Sequence, residues 1–350
     1  MDSRKNDIYM SLPVTKVTQQ ELIKFSELNI SPFVSELEKL IENAKAELDA
    51  LLAENHAPSF ENTIEKLEFI GQDVQELSSI FFNLNSAETT DEIQALAPEF
   101  SAKLTAYGND VALNEELFLR VRSVWDCKDD FGLNVEQQTV LEKAYLGFVR
   151  NGALLDDEQK QELRQIDEQL SKASLKFGEN VLAETNSYKL VLTDESDLEG
   201  LPESVIEYAA QIAKETGDEG KWVVNLQYPS FIPFMKYSSR RDLRETLYMA
   251  SATKACKGND FDNQDIVKQI AGLRIKRAHL LGYDSHADYV LERRMAQSAQ
   301  VVEDFMGDLL AKSKPAAEAD VKRVGELALK DGIEQIQPWD FSFYAEKLKQ

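Results

Sequence analysis

Apolar residues recur in this chain at steps of three and four over long stretches, and that spacing constrains the fold more than any other feature. After Ser31-Pro32, the residues Val34, Leu37, Leu40, Ile41, Ala44, Leu48, Leu51 and Leu52 form one stripe, the pattern of a helix with one buried face. Ser31 suits the N-cap, Pro32 the first helical position, and Pro58 marks the stop. Further helices are predicted over residues 62–83, from a Thr89/Glu92 capping box to about Gly108, from an Asn114 cap through Trp125, and over 135–149. A long one spans about 156–184. There Leu163, Ile166, Leu170, Ala173 and Phe177 make a short heptad seam, read as part of an intramolecular helix hairpin, with a dimerising coiled coil as the alternative.

The texture changes between Ser187 and Tyr237. Tyr188–Leu192 and Trp222–Leu226 are short β-branched or aromatic runs, with a helix expected over 202–214 between them and Pro229 and Pro233 punctuating the exit. Helices resume over 241–255, 265–281, 287–295 and 301–329, the last kinked or broken at Pro315, and a final one starts near Asp340. The fold class expected is mainly α and multi-helical, with a small β insert near 187–226. Residues 1–237 read as an N-terminal helical region and 238–350 as the beginning of a second domain.

Composition narrows the functional classes. The 39 basic and 62 acidic residues leave a net charge of -23, a field that repels phosphate backbones and anionic lipid, so neither nucleic acid nor membrane is an expected partner. No apolar run is long enough to span a bilayer, and the opening MDSRKNDIYMSLPVTK has no hydrophobic signal core. The cysteines, Cys127 and Cys256, form no C-x-x-C and read as reduced, partly buried thiols. A cytoplasmic location is expected.

Candidate chemistry is sparse. The three histidines, His56, His279 and His286, open no H-E-x-x-H, the spacing that sets two imidazoles one helical turn apart beside a general base. His279 and His286 would stand about 10 Å apart on a continuous helix, too far for one zinc ion; His56 reads as a helix-end imidazole. Asp129-Asp130 and Asp156-Asp157 read as helix-start acids, without a D-x-D-x-D-G calcium loop. Arg240-Arg241 and Arg293-Arg294 are read as helix ion pairs or as partners for a peptide carboxylate. The aromatic run Tyr228, Phe231–Phe234 is read as core packing or a peptide-docking surface. Gly71, Gly147 and Gly178 are read as close-packing glycines inside helices. No residue is assigned a catalytic, metal-binding or substrate-binding role.

Several stretches together resemble the thimet-oligopeptidase family of zinc metallopeptidases, most like its bacterial peptidyl-dipeptidase (dipeptidyl carboxypeptidase) branch. They are PSFENTIEKLE at 58–68, SSIFFNLNSAETTDEIQAL at 78–96, LRQIDEQLSKASLKFGENVL at 163–182 and YPSFIPFMKYSSRRDLRETLYMA at 228–250. DNQDIVKQIAGLRIKRAHLLGY at 262–283, ADYVLERRMAQSAQVVEDFMGDLL at 287–310 and the closing PWDFSFYAEKLKQ continue in the family's order. The resemblance implies a neurolysin-like, almost wholly helical peptidase whose channel admits short unstructured peptides. It also implies a zinc ion held by H-E-x-x-H and a downstream glutamate, and a monomeric parent. The positions that would match those ligands lie beyond Gln350, so this chain is expected to hold no zinc, to hydrolyse nothing alone, and to self-associate through its C-terminal region. An oligopeptidase-A-like endopeptidase and a non-catalytic helical protein that binds peptides or a partner are the other two readings.

Overall fold

The first apolar stripe folds as α1, Phe33–Leu52, burying Phe33, Leu37, Leu40, Ala44, Leu48 and Leu51. Its start differs from the expectation: Pro32 takes the cap position without a side-chain cap, and Ser31 donates its hydroxyl to Asn29 Oδ1 at 2.7 Å. The computed structural model describes residue 25 and residues 28–349; the opening stretch read for a signal core lies outside them. Two compact units form, Met1–Leu175 with His279–Gly282, and Lys176–Ala278 with Tyr283–Gln350.

In the first unit a π-helical turn, Phe60–Ile64, runs into α2, Glu65–Leu67, and α3 follows at Gln72–Ala87. The single helix expected over 62–83 is broken at Gly71, whose φ of +79° is a left-handed conformation that glycine reaches without steric cost. Gly71 is thus not inside a helix, yet it does pack closely: a Cβ there would lie 2.6 Å from the Tyr107 hydroxyl.

Thr90, not Thr89, caps α4, Asp91–Ala112, accepting the Ile93 N–H, and the helix runs four residues past Gly108. Asn114 and Asn134 cap α5, Glu115–Asp126, and α6, Val135–Arg150, as their amide oxygens accept the N–H three residues on. One core gathers Phe33, Phe81 and Phe100, with the last two rings stacked at 4.1 Å. A second gathers Leu51, Phe60, Ile64, Leu117, Val121 and Phe148.

The long helix α7, Asp157–Ser187, buries Leu163, Ile166 and Ala173 of the heptad seam but leaves Phe177 exposed. It crosses the division between the units. In the second unit β1, Leu190–Leu192, pairs antiparallel with β2, Trp222–Val224, in the register Leu190↔Val224 and Leu192↔Trp222. Between them lies α8, Glu203–Glu215.

The segment expected to be a proline-punctuated exit is a helix, α9, Tyr228–Tyr237. Pro229 sits in its first turn, where a missing N–H costs nothing; Pro233 removes one internal bond. Burial of Phe234 and Met235 outweighs that loss. Ser230 Oγ accepts the Asn225 N–H at 3.0 Å, tying the strand exit to the helix start.

Then follow α10, Arg241–Ala252, α11, Gln264–Leu280, α12, His286–Leu291, and α13, Ala299–Lys330. α13 continues through Pro315 rather than breaking there. The last helix, α14, Pro338–Lys347, packs on α9 and α10. The mainly α fold read from the periodicity, with one small two-stranded sheet, is the fold observed among the described residues.

Gly200, at φ +86°, closes the turn before α8 directly against the Tyr237 carbonyl and Ser239. A methyl group there would overlap backbone as well as take a forbidden φ. Gly200→Ala should therefore destabilise the chain by about 1–3 kcal/mol in urea unfolding, whereas Gly132→Ala, strained but facing open space, costs less.

Candidate functional site

One concavity of the first unit is an apolar groove of about 570 Å³. Ile70, Val74, Leu104, Val111, Phe148 and Tyr107 supply walls, and Gly108 and Gly147 part of the floor. A Cβ on Gly147 would meet nothing within 4 Å, and the same holds for Gly178, so neither is the close-packing site that the sequence suggested. Gly147 instead keeps the groove open. Lys143, Asn151, Gln75 and Ser78 bring polar atoms to its edge. Burial, with Glu47 adding to it, raises the Tyr107 phenol above its ordinary value, so it is a neutral hydrogen-bonding group here. The groove suits apolar side chains but holds no nucleophile–base pair.

The histidines are dispersed. His56 lies exposed in the loop after α1, four residues past the helix end. His279 is near the end of α11, and His286 opens α12 after a turn, so they do not share one continuous helix. Burial, then Arg274 and Arg277, pulls His286 below its ordinary value, and its ring stacks on Tyr289 at 6.2 Å. Among the described residues no three His, Cys, Asp or Glu side chains gather to hold a metal ion. The zinc implied by the resemblance does not fit the residues present.

The acidic pairs serve local structure. Asp156 accepts the Gln159 N–H at 2.8 Å to cap α7, and Asp129-Asp130 form a short 3₁₀ turn. Both cysteines are exposed and free, which corrects their reading as partly buried. The aromatic run is divided: Phe234 is fully buried, while Tyr228 and Ile232 face solvent. Arg293 and Arg294 are exposed.

The other arginine doublet is committed to ion pairs. Arg240 pairs with Asp197 and, at 2.8 Å, with Asp242. Arg241 makes a two-pronged bond to Asp340, both contacts 2.9 Å. Arg244, which the sequence did not single out, lies 1% exposed and donates to Asp340 Oδ1, to the Ser238 carbonyl and to the Trp339 carbonyl. Nothing local to the sequence marks this cluster, because its members are 96 and 99 residues apart.

Burial pushes the Asp340 carboxyl up, but Arg241, the Gln337 N–H and Arg244 outweigh it and hold it below its ordinary value. Burial also lowers Arg244 against the pull of Asp340, yet a guanidinium stays charged at neutral pH.

Residues 234–350 match the peptidase family M3. Over 310 residues the chain is 31% identical to a dipeptidyl carboxypeptidase of Escherichia coli, covering 88% of this chain and 46% of that protein. It is 28% identical over 339 residues to oligopeptidase A of the same organism, covering 95% of this chain and 50% of that protein. Saccharolysin of Saccharomyces cerevisiae is 26% identical over 309 residues, 87% of this chain and 42% of that protein. The chain thus spans about half the length of the relatives it matches. Its resemblance to the thimet-oligopeptidase type of peptidase rests on most of its length, and the segment that matches family M3 contains Arg241, Arg244 and Asp340.

Removing Asp340 leaves two buried or half-buried cations without their counter-ion. Asp340→Ala should cost about 3–5 kcal/mol, read by urea unfolding followed by tryptophan fluorescence. The sign of its pH dependence is fixed: a carboxyl titrating below its ordinary 3.8 contributes fully above that value, and the contribution is lost as pH falls through the lower folded value. Acid unfolding of α14 should therefore be blunted in the variant, whose stability already lacks that contribution.

Proposed function

We propose that these residues are the scaffold portion of a zinc-dependent peptidyl-dipeptidase, a cytoplasmic enzyme that removes dipeptides from the C-termini of short unstructured peptides. The similarity to dipeptidyl carboxypeptidase is the observation that carries this reading, and the match to peptidase family M3 supports it. The oligopeptidase A relatives favour a second reading, internal cleavage of the same class of peptide. The described residues offer zinc no ligand set, so the reading gives them the shaping of the enzyme and no step of the hydrolysis. No helix among them is long and apolar enough to cross a membrane.

The 350-residue chain, supplied with zinc, should release no dipeptide from an N-blocked oligopeptide above background, with or without chelator. Chelator-sensitive turnover by this chain would show that it carries its own metal site. In any longer product of the same gene, release of C-terminal dipeptides that stops when the peptide is amidated supports the first reading. Internal cuts indifferent to amidation support the second.

Association follows from the same reading. From residue 300 to 323 α13 is exposed on all sides, with Val301, Val302, Phe305, Met306, Leu309 and Leu310 along its first turns. We propose that chains of these residues alone pair through that face, since so large an apolar surface is normally covered. With a charge of -23 opposing approach, association should strengthen as salt screens it. Light scattering at low and high ionic strength tests this, and a monomer in both would refute it.

A further inference from the structure

A second concavity, separate from the apolar groove, lies between α4 and α7 in the first unit. It holds about 480 Å³ and is lined by Glu99, Lys103, Thr105 and Asn109 of α4 and by Arg164 and Glu168 of α7, with two alanines as its apolar part. Asn109 is the unusual member. It is 8% exposed, and the other buried side chains of its helix, Ile93, Ala97 and Phe100, are all apolar. Among the described residues its side-chain amide has no hydrogen-bond partner, although it lines an open cleft. Its amide atoms are not sealed off and reach solvent through the cleft. A donor and an acceptor therefore stand ready at the base of the cleft.

The charges around that amide are of both signs and already fixed in position. Lys103 bridges Glu38 at 2.6 Å and Glu99 at 3.3 Å. Arg164 gives one terminal nitrogen to Asp110 at 2.7 Å, which leaves guanidinium donors to spare. Glu168 is paired with Lys172. Thr105 donates its hydroxyl to the Ser101 carbonyl at 2.9 Å and keeps its lone pairs.

A ligand matching this set has a carboxylate for Arg164, an ammonium for Glu99 or Glu168, and between them a planar group that both donates and accepts for Asn109. We propose that the cleft binds a free dipeptide, a zwitterion with one peptide group between its charged ends. The volume admits two residues with modest side chains. The proposal stands on this cleft and not on the peptidase reading; if both hold, the ligand is of the class the enzyme releases.

The test titrates the 350-residue protein with L-alanyl-L-alanine, followed by side-chain amide resonances in ¹H–¹⁵N spectra. N-acetyl and C-amide forms of the same dipeptide serve as blocked probes. Saturable binding at about millimolar concentration is expected, weakened about fivefold or more by blocking either end and about tenfold by Asn109→Leu. Arg164→Gln, at a half-buried position, should weaken the free and N-acetyl dipeptides alike and leave the amide form unchanged. It provides the same test if Asn109→Leu does not fold. Absence of saturation at tens of millimolar, equal binding of blocked and free dipeptides, or unaltered binding by both variants would overturn the assignment.

Discussion

A single carboxylate, Asp340, holds the second unit's closing helix in place. It is fully buried between Arg241 and Arg244, and its N-terminal neighbour Trp339 gives its carbonyl to Arg244. Burying Arg244 and Asp340 and half-burying Arg241 is costly in solvation, and a well-packed apolar trio of the same volume could be as stable. What the ionic arrangement adds is direction. Two guanidiniums meeting one carboxylate in a fixed fork specify the angle at which α14 lies on α9 and α10 far more narrowly than apolar contact does. The Arg244 guanidinium also lies 4.1 Å from the Phe343 ring centroid, so the same side chain reads both the charged and the aromatic face of the helix.

Most of the fold was legible because helices announce themselves locally. A stripe such as Leu37, Leu40, Ala44, Leu48 needs only one buried face, whatever covers it. Errors fell where two local rules compete. Pro229 and Pro233 look like breakers, but the first occupies a helix start and the loss at the second is met by burying Phe234. Gly71 looked tolerable inside a helix until the close approach of Tyr107 shows why the chain turns there. Thr89 and Thr90 are equally good caps on paper; the register of Ile93, which must face the core, selects the second.

The sites were less legible than the helices for a physical reason. Ion pairs and clefts are made by residues distant in sequence, and neither Arg244 and Asp340 nor Asn109 and Arg164 carry a mark of their partner. One weak signal existed: an asparagine, Asn109, on the face of α4 that also carries Ala102, Thr105 and Ala106. A polar residue in such a place is either paired in the core or exposed to something that enters. By contrast the histidines could be placed from the sequence alone, and they fall in the loop after α1, near the end of α11 and at the start of α12.

The two thiols also give the molecule a pair of separate handles. Cys127 follows α5 in the first unit and Cys256 lies in the α10–α11 connection of the second, each exposed and unpaired. Replacing either by serine leaves one thiol-reactive position per molecule. A maleimide dye then reports on one unit at a time, and the two dyes together form an intramolecular ruler.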